Sequence, residues 1–304
     1  MSDPIESTDR SALMMAVMST IGLSLKGIFG KFAFIAGASI ITLVFIRMVL
    51  ALPLFWVADR FIRTSDRPPM SRRDIGLGLG FGVLFLFAML TDFTAIDRLG
   101  ASLSRIVLFT YPLVVVMISS AMERRWPSRR QMLAFVVSYG GLLIVLRPDR
   151  SDLPPQFWSG VGIAMTCAVT IASVYALANP LMKRIGAARF SIITHLAACA
   201  GMTVIVAGTY TEKSFALSAT AYGWIFLIAA VATVGPMLMQ YEAMRRIGAS
   251  RVSLIALIGP VVTVVLAWLL LDEQLDGIQI MGFAFVLSGI AILEWPNLRR
   301  SATA

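Results

Sequence analysis

The hydrophobic residues of this chain fall into long continuous runs that are separated by short polar stretches. A helix needs about 20 residues, at about 1.5 Å per residue, to cross about 30 Å of hydrocarbon. Ten runs have about this length, so the pattern predicts ten transmembrane helices. Their predicted spans are residues 12–35, 38–58, 75–96, 101–121, 130–147, 157–182, 188–210, 220–244, 249–271 and 277–295. The pattern predicts an all-α integral membrane protein with almost no room for a soluble domain.

A second regularity is a repeat with an offset of 148 residues. LGASLSRIVLFTYP at 99–112 returns as IGASRVSLIALIGP at 247–260, and the match extends without a gap from 93–145 onto 241–293. Each repeat then holds five helices, the first over residues 12–147 and the second over residues 157–295. Because five is odd, the second repeat enters the membrane from the opposite side, and we expect two inverted repeats that support alternating access.

Composition and charge narrow the class further. Hydrophobic residues make up 58% of the chain and charged residues only 14%. If the N-terminus is cytoplasmic, the inner segments hold 18 Lys and Arg residues and the outer segments four. The positive-inside rule therefore predicts cytoplasmic N- and C-termini. The net charge of +9 follows from this topology and does not indicate nucleic-acid binding.

Several motifs together resemble a known family. They are the glycine and small residues before helices 4 and 9, the mid-helix Pro112 and Pro260, and the segment LLLDEQLDGIQIMGFAFVLSGIAIL at 269–293. Over residues 12–295 the chain resembles the drug/metabolite transporter superfamily, in particular EamA-type ten-helix exporters. The family's helix 2 arginine matches Arg47. The resemblance implies a carrier of small metabolites in a bacterial inner membrane, with a cavity formed mainly by helices 1, 3, 4, 6, 8 and 9.

Ionisable side chains inside the predicted helices are costly and therefore informative. All 17 acidic residues lie in loops, in tails or near helix ends, whereas Lys26 lies about 14 Å deep at 1.5 Å per residue. This contrast favours a neutral or positive cavity suited to carboxylates or phosphates. Lys26 either faces that cavity or pairs with helix-end carbonyls, and Arg105 either reaches the interface or faces an outer vestibule. Arg47 and His195, repeat partners, are expected to pack between helices, with a coupling role for His195 left open.

Prolines and aromatic residues complete the candidate site. A proline inside a helix frees the carbonyl four residues earlier, so each is either a hinge or a static kink. Such hinge candidates are Pro112, Pro236 and Pro260, and Gln240 is a possible cavity donor one turn after Pro236. The aromatic candidates, which either bind substrate or merely pack, are Phe81, Phe85, Tyr111, Tyr175 and Trp224.

Other functions find little support in the sequence. A single histidine excludes an HExxH zinc site, and neither a GxSxG elbow nor a DDxxD motif is present. We therefore expect no enzyme activity, metal or cofactor. The sequence indicates a monomeric secondary carrier that exports small organic metabolites, most directly amino acids or related carboxylate-bearing solutes, with membrane lipid as its surroundings. A flippase for lipids or lipid-linked sugars with the same fold is the alternative.

Overall fold

The structure, a computed structural model, describes residues 9–61, 69–146, 156–209, 215–271 and 277–302, and these residues form helices without a strand. The helices are α1 (Arg10–Ile35), α2 (Ile40–Phe61), α3 (Arg72–Leu108), α4 (Tyr111–Met122), α5 (Arg129–Leu146), α6 (Phe157–Ile185), α7 (Ala187–Thr209), α8 (Ala219–Ala229), a π-helix (Ala230–Val234), α9 (Gly235–Ile247), α10 (Ala249–Ile255), a 3-10 helix (Ala256–Ile258), α11 (Gly259–Leu271) and α12 (Gly277–Ala302). Within the described residues, six helical segments are long and apolar enough to cross a membrane. The predicted all-helical membrane class is confirmed in this general form.

The boundaries differ from the expected ones where the two repeats match best. The sequence predicted a break between residues 96 and 101, but α3 continues through it to Leu108 and the break lies before Tyr111. There the hydroxyl of Thr110 donates to the carbonyl oxygen of Val107 at 2.8 Å. In the second repeat the chain turns at Gly248, whose φ of +86° suits a residue without Cβ. The same sequence motif therefore adopts different backbone structures in the two repeats.

Ion pairs define one end of the helical bundle, which we call the basic end. A carboxylate oxygen of Asp9, before α1, lies 3.5 Å from a guanidinium nitrogen of Arg246, near the end of α9. Asp74, near the start of α3, pairs with Arg184, near the end of α6. α1 and α3 therefore begin at the basic end, where α6 and α9 finish.

A second set of contacts defines the opposite end. The hydroxyl of Ser218, which caps α8, lies 3.3 Å from the carbonyl oxygen of Ala36, just after α1. The side chain of Leu99 in α3 packs directly over Gly160, near the start of α6. α1 and α6 therefore run in opposite directions between the two ends.

Glycines allow α5 and α12 to pack with their backbones in contact. A Cβ added to Gly141 would lie 2.7 Å from the carbonyl oxygen of Gly282, and one added to Gly289 would lie 2.7 Å from that of Ala134. Gly289 is the repeat partner of Gly141, 148 residues later, and Ala134 is the repeat partner of Gly282, 148 residues earlier. The second contact is therefore the first contact with each residue replaced by its repeat partner. The two helices therefore meet through equivalent positions of the sequence repeat.

Candidate functional site

The candidate site lies next to two interruptions of helical structure, one before α4 and one before α11. Pro112 is the second residue of α4 and Pro260 is the second residue of α11, each just after an interruption of regular α-helix. Because proline has no amide hydrogen, the carbonyls of Leu108 and Ala256 lose their usual helical partners. Such carbonyls are tolerated inside a membrane where they meet a neighbouring helix or a cavity. The structure places both prolines at breaks, which the hinge hypothesis requires.

Helix α1 contributes a hydroxyl group to the second break. The single hydroxyl hydrogen of Ser24 is shared between the carbonyl oxygen of Gly259, 3.1 Å from Oγ, and that of Thr20, 2.8 Å from Oγ. A Cβ on Gly259 would lie 3.7 Å from the ring of Phe109, at the first break. α1 and the two breaks therefore meet near the middle of α1.

A tyrosine cluster lies beside the first break. The ring of Tyr111 packs edge-on against that of Tyr175, with centroids 5.8 Å apart, and Tyr175 packs against Tyr241 at 6.4 Å. The side chain of Gln240 lies close to that of Tyr175. Three of the residues predicted from sequence, Tyr111, Tyr175 and Gln240, are therefore brought together from α4, α6 and α9.

The aromatic contacts continue toward the basic end. Tyr241 packs against Phe190 at 5.2 Å, and Phe190 packs against Phe81, another predicted residue, at 5.9 Å. Phe190 and Tyr241 are almost fully buried, so this part of the bundle is closed. Sequence reasoning missed both residues. Tyr241 could have been found as the neighbour of Gln240, but Phe190 belongs to a helix that was not expected to form the cavity.

Lys26 is exposed on an otherwise buried side of α1. Ser19 and Ala33, two turns before and after it, are both 0% exposed, whereas Lys26 itself is exposed. Gly30, one turn after Lys26, is buried, yet a Cβ added there would meet nothing within 4 Å. Lys26 is therefore exposed and Gly30 has unfilled space beside it, whereas Met14 and Met18 occupy a separate exposed side of α1.

Arg47 and His195 lie in a different, tightly packed region. Both residues are buried, and the ring of His195 packs against Phe55 at 4.6 Å and Phe85 at 5.2 Å. Its Nδ1 lies 3.0 Å from the carbonyl oxygen of Ser191. The predicted cavity residue Phe85 thus contacts His195 rather than the tyrosine cluster.

The remaining candidates lie apart from the tyrosine cluster. Trp224 stacks on Phe32, near the C-terminal end of α1, at 4.8 Å. Pro236 directly follows the π-helix and Gly235, and its ring packs on Gly22 of α1. Arg105 belongs to α3, but its side chain lies outside the described residues.

Charge is concentrated at the basic end. Glu242 accepts hydrogen bonds from Arg245 at 2.8 Å and from Arg246 at 2.7 Å. The hydrogen bond from the Ser11 hydroxyl, at 2.6 Å, lowers the pKa of Asp9, and the positive charge of Arg246 lowers it further. Among the described residues, no group of three or more His, Cys, Asp or Glu side chains could hold a metal ion.

The long apolar helices, together with helix breaks that free backbone carbonyls, indicate a multi-pass membrane protein. The chain belongs to the EamA-like transporter family, whose sequence profile matches residues 10–147 and again residues 158–295. This match confirms the family resemblance and shows two copies of the family unit.

Individual relatives agree with this assignment. The chain is 29% identical over 293 residues to the "Uncharacterized transporter YcbK" of Bacillus subtilis, covering 93% of this chain and 92% of the relative. It is 22% identical over 221 residues to "Protein PecM" of Dickeya dadantii, covering 71% of each. A crystal structure with 14% identity matches 95% of this chain and 98% of its own with a TM-score of 0.77, which supports the fold.

Proposed function

We propose that this EamA-family protein is a secondary transporter that moves small organic metabolites, most directly amino acids or related carboxylate-bearing solutes, outward by alternating access. The family and the relatives named as transporters support transport as the activity. In this proposal the membrane is the bacterial cytoplasmic membrane, and the basic end with both termini faces the cytoplasm.

The symmetry of the helix contacts supports an inverted repeat. In the α5 and α12 contact, residues 141 and 282 meet, and so do their repeat partners 289 and 134. The hydroxyl of Ser138 also donates to the carbonyl oxygen of its own repeat partner, Val286, at 3.2 Å. If a two-fold axis exchanges two antiparallel helices, the axis is perpendicular to both helices. Because the helices span the membrane, the axis then lies in the plane of the membrane. Two halves related in this way can exchange conformations and thereby open the site to either side.

Lys26 carries the substrate proposal. In this proposal the ammonium group of Lys26, which is exposed on an otherwise buried side of α1, attracts the carboxylate of the solute. Tyr175 and Gln240 add hydrogen-bonding groups in the closed region nearer the basic end. A small solute with a carboxylate therefore suits this interior.

Closure of the basic end supports an outward-facing assignment of this conformation. The Asp9–Arg246 and Asp74–Arg184 pairs hold helix ends together. The successive ring contacts from Tyr111 to Phe81 pack the interior of the bundle next to these pairs. The exposed Lys26 and the unfilled space at Gly30 lie farther along α1, toward the opposite end.

Counterflow in proteoliposomes tests the function. The panel consists of labelled amino acids, nucleosides and organic anions at two pH values. We expect counterflow of at least one carboxylate-bearing solute. Lipid scrambling without counterflow of any panel member would instead support the flippase alternative.

Substitution of Lys26 tests the site. A hydrogen bond to a charged group contributes about 1.5–3 kcal/mol, so Lys26→Ala should weaken apparent affinity by about 10- to 150-fold. Lys183→Ala, at the exposed end of α6, is the matched control and should leave transport unchanged. Unchanged kinetics of a folded Lys26→Ala variant would remove Lys26 from the site without affecting the proposed activity.

A further inference from the structure

A separate cavity lies between the end of α4 and the start of α5. It has a volume of about 590 Å³, within the usual range of roughly 300–1,000 Å³ for small-ligand sites. Met117 and Met132 form apolar walls, whereas Arg124, Arg125 and Trp126 lie where the chain leaves α4. This cavity is therefore apolar inside and basic at one edge.

The backbone at the end of α4 positions the basic edge. The amide of Arg125 donates to the carbonyl of Ser120 at 2.9 Å, and that of Arg124 donates to the carbonyl of Ala121 at 3.1 Å. This pair of hydrogen bonds is a Schellman motif, whose left-handed position is usually glycine. Arg124 occupies that position here with a φ of +52°. An arginine therefore occupies a position, at the edge of the cavity, that glycine usually takes.

The charge of the connection is strongly positive. The segment ERRWPSRR, residues 123–130, holds four arginines and one glutamate. Glu123 pairs with Arg125, and the Nε of Arg130 donates to the carbonyl of Ile292. One carboxylate among four guanidinium groups leaves this connection positively charged.

The apolar walls continue into the exposed side of the bundle. Met117 is 57% exposed and Leu133, beside Met132, is 52% exposed, on the two helices that border the cavity. Trp126 is 94% exposed, and tryptophan is enriched at the level of lipid headgroups. Apolar walls, an interfacial tryptophan and two arginines match the parts of a phospholipid with a net negative charge.

We propose that the cavity between α4 and α5 binds an anionic phospholipid of the surrounding membrane. The phosphate lies against Arg124 and Arg125, because guanidinium groups bind phosphate through paired hydrogen bonds. One acyl chain lies against Met117 and Met132. Binding at this place attaches lipid to the segment that follows the break at Pro112, and it does not depend on which solute the protein transports.

Quenching of Trp126 fluorescence by brominated lipid tests this site. The full chain is reconstituted in zwitterionic vesicles with a minor anionic component, and the bromine is placed on either lipid at the same mole fraction. Subtracting the signal of Trp126→Phe isolates the contribution of Trp126. We expect at least about fivefold more efficient quenching by the anionic lipid, which is about the effect of one arginine near an anionic surface.

Arginine variants identify the charge that selects the lipid. In the double variant Arg124→Gln, Arg125→Gln, anionic and zwitterionic brominated lipid should quench Trp126 with nearly equal efficiency. Arg60→Gln is the matched control, because Arg60 also lies beside a tryptophan, 4.5 Å from the ring centroid of Trp56, but on α2. The control should keep the preference for anionic lipid.

Two results would overturn the proposal. One is equal quenching by anionic and zwitterionic lipid in the unmodified protein, since the cavity would then hold lipid without regard to charge. The other is an unchanged preference in the double variant, with circular dichroism showing a folded protein. Mass spectrometry of lipid retained in detergent gives an independent readout, with loss of anionic lipid expected only in the double variant.

Discussion

Two glycines of α1 differ in their surroundings, because one packs against a neighbouring helix and the other has unfilled space beside it. Gly22 has no room for a side chain, because an added Cβ would overlap the ring of Pro236, whereas Gly30 has open space at the same atom. The exposed Lys26 lies between these two glycines. The amino-acid types alone do not distinguish these two glycines, since the difference lies in what faces each of them.

Alanine substitution at the two glycines should therefore have opposite effects. Gly22→Ala forces α1 away from Pro236 and should destabilise the protein by about 1–3 kcal/mol, the usual cost of overpacking. Gly30→Ala meets no atom and should be neutral or up to about 1 kcal/mol stabilising, because alanine favours the helix. Thermal unfolding in detergent measures both. Equal destabilisation of the two variants would contradict the described packing of α1.

Asp9 should make closure of the basic end sensitive to acid. Its pKa is lowered by the hydrogen bond from Ser11 and by Arg246, so its stabilising contribution is present above the unfolded value of about 3.9. The contribution disappears as the pH falls through the lower, folded value. The stability difference between the natural protein and Asp9→Asn should therefore be constant above about pH 5 and shrink below about pH 4. A difference that persists unchanged at pH 3 would contradict this assignment.

At the scale of helices, two breaks and two sets of end contacts organise the bundle. Pro112 and Pro260, predicted within helices 4 and 9, each lie just after an interruption of regular helix, since a missing amide hydrogen acts locally. The RLGAS and RIGAS motifs misled the boundary prediction, because α3 continues through the first motif and only the second turns at Gly248. Local sequence similarity did not determine helix continuation there.

The pairing of α3 with α6 at the basic end can be tested by charge exchange. Asp74→Arg places two cations together and should favour separation of these helix ends by about 1 kcal/mol, or about fivefold in equilibrium. Adding Arg184→Asp restores opposite charges and should reverse the effect. The readout is alkylation of the buried Cys167, which lies between α6 and α3, in a Cys199→Ser background. Failure of the charge exchange to restore slow alkylation would show that the pair does not hold these ends together.

At the scale of the whole molecule, the repeat in the sequence agrees with the contacts between helices. The 148-residue offset found in the sequence also relates the two glycine contacts between α5 and α12. The candidate site is less symmetric, because Lys26 corresponds to Val174, a buried apolar residue. The symmetric contact between α5 and α12 thus belongs to the fold. Lys26, which has no charged counterpart in the other repeat, carries the proposed substrate chemistry.

Leucine substitutions at the α5 and α12 contact should reflect this symmetry. Gly141→Leu and Gly289→Leu each place a side chain against a carbonyl of the other helix, so both should destabilise by a similar amount of about 1–3 kcal/mol. Gly140→Leu is the control, because a Cβ there meets nothing within 4 Å. Unfolding in detergent compares the three variants. A large loss at only one of the two contact glycines would contradict the equivalence of the two repeats.

The candidate site was only partly predictable from sequence. Tyr111, Tyr175 and Gln240 were recognised as polar or aromatic residues within predicted helices, and they meet in one cluster. Phe85 was grouped with them but packs on His195, and Phe190 was not recognised. Which side of a helix faces which neighbour depends on contacts far apart in sequence, and hydropathy alone does not contain that information.

The sequence by itself determined the membrane class, the two related units and the positions of the prolines. Each of these properties follows from the order of residue types along the chain, because apolar length, repetition and the missing proline donor are local. Only the tertiary structure decided where α3 ends, which rings meet and which side of α1 is exposed at Lys26. These features depend on the rotation and close approach of helices, which are set by packing between residues distant in sequence.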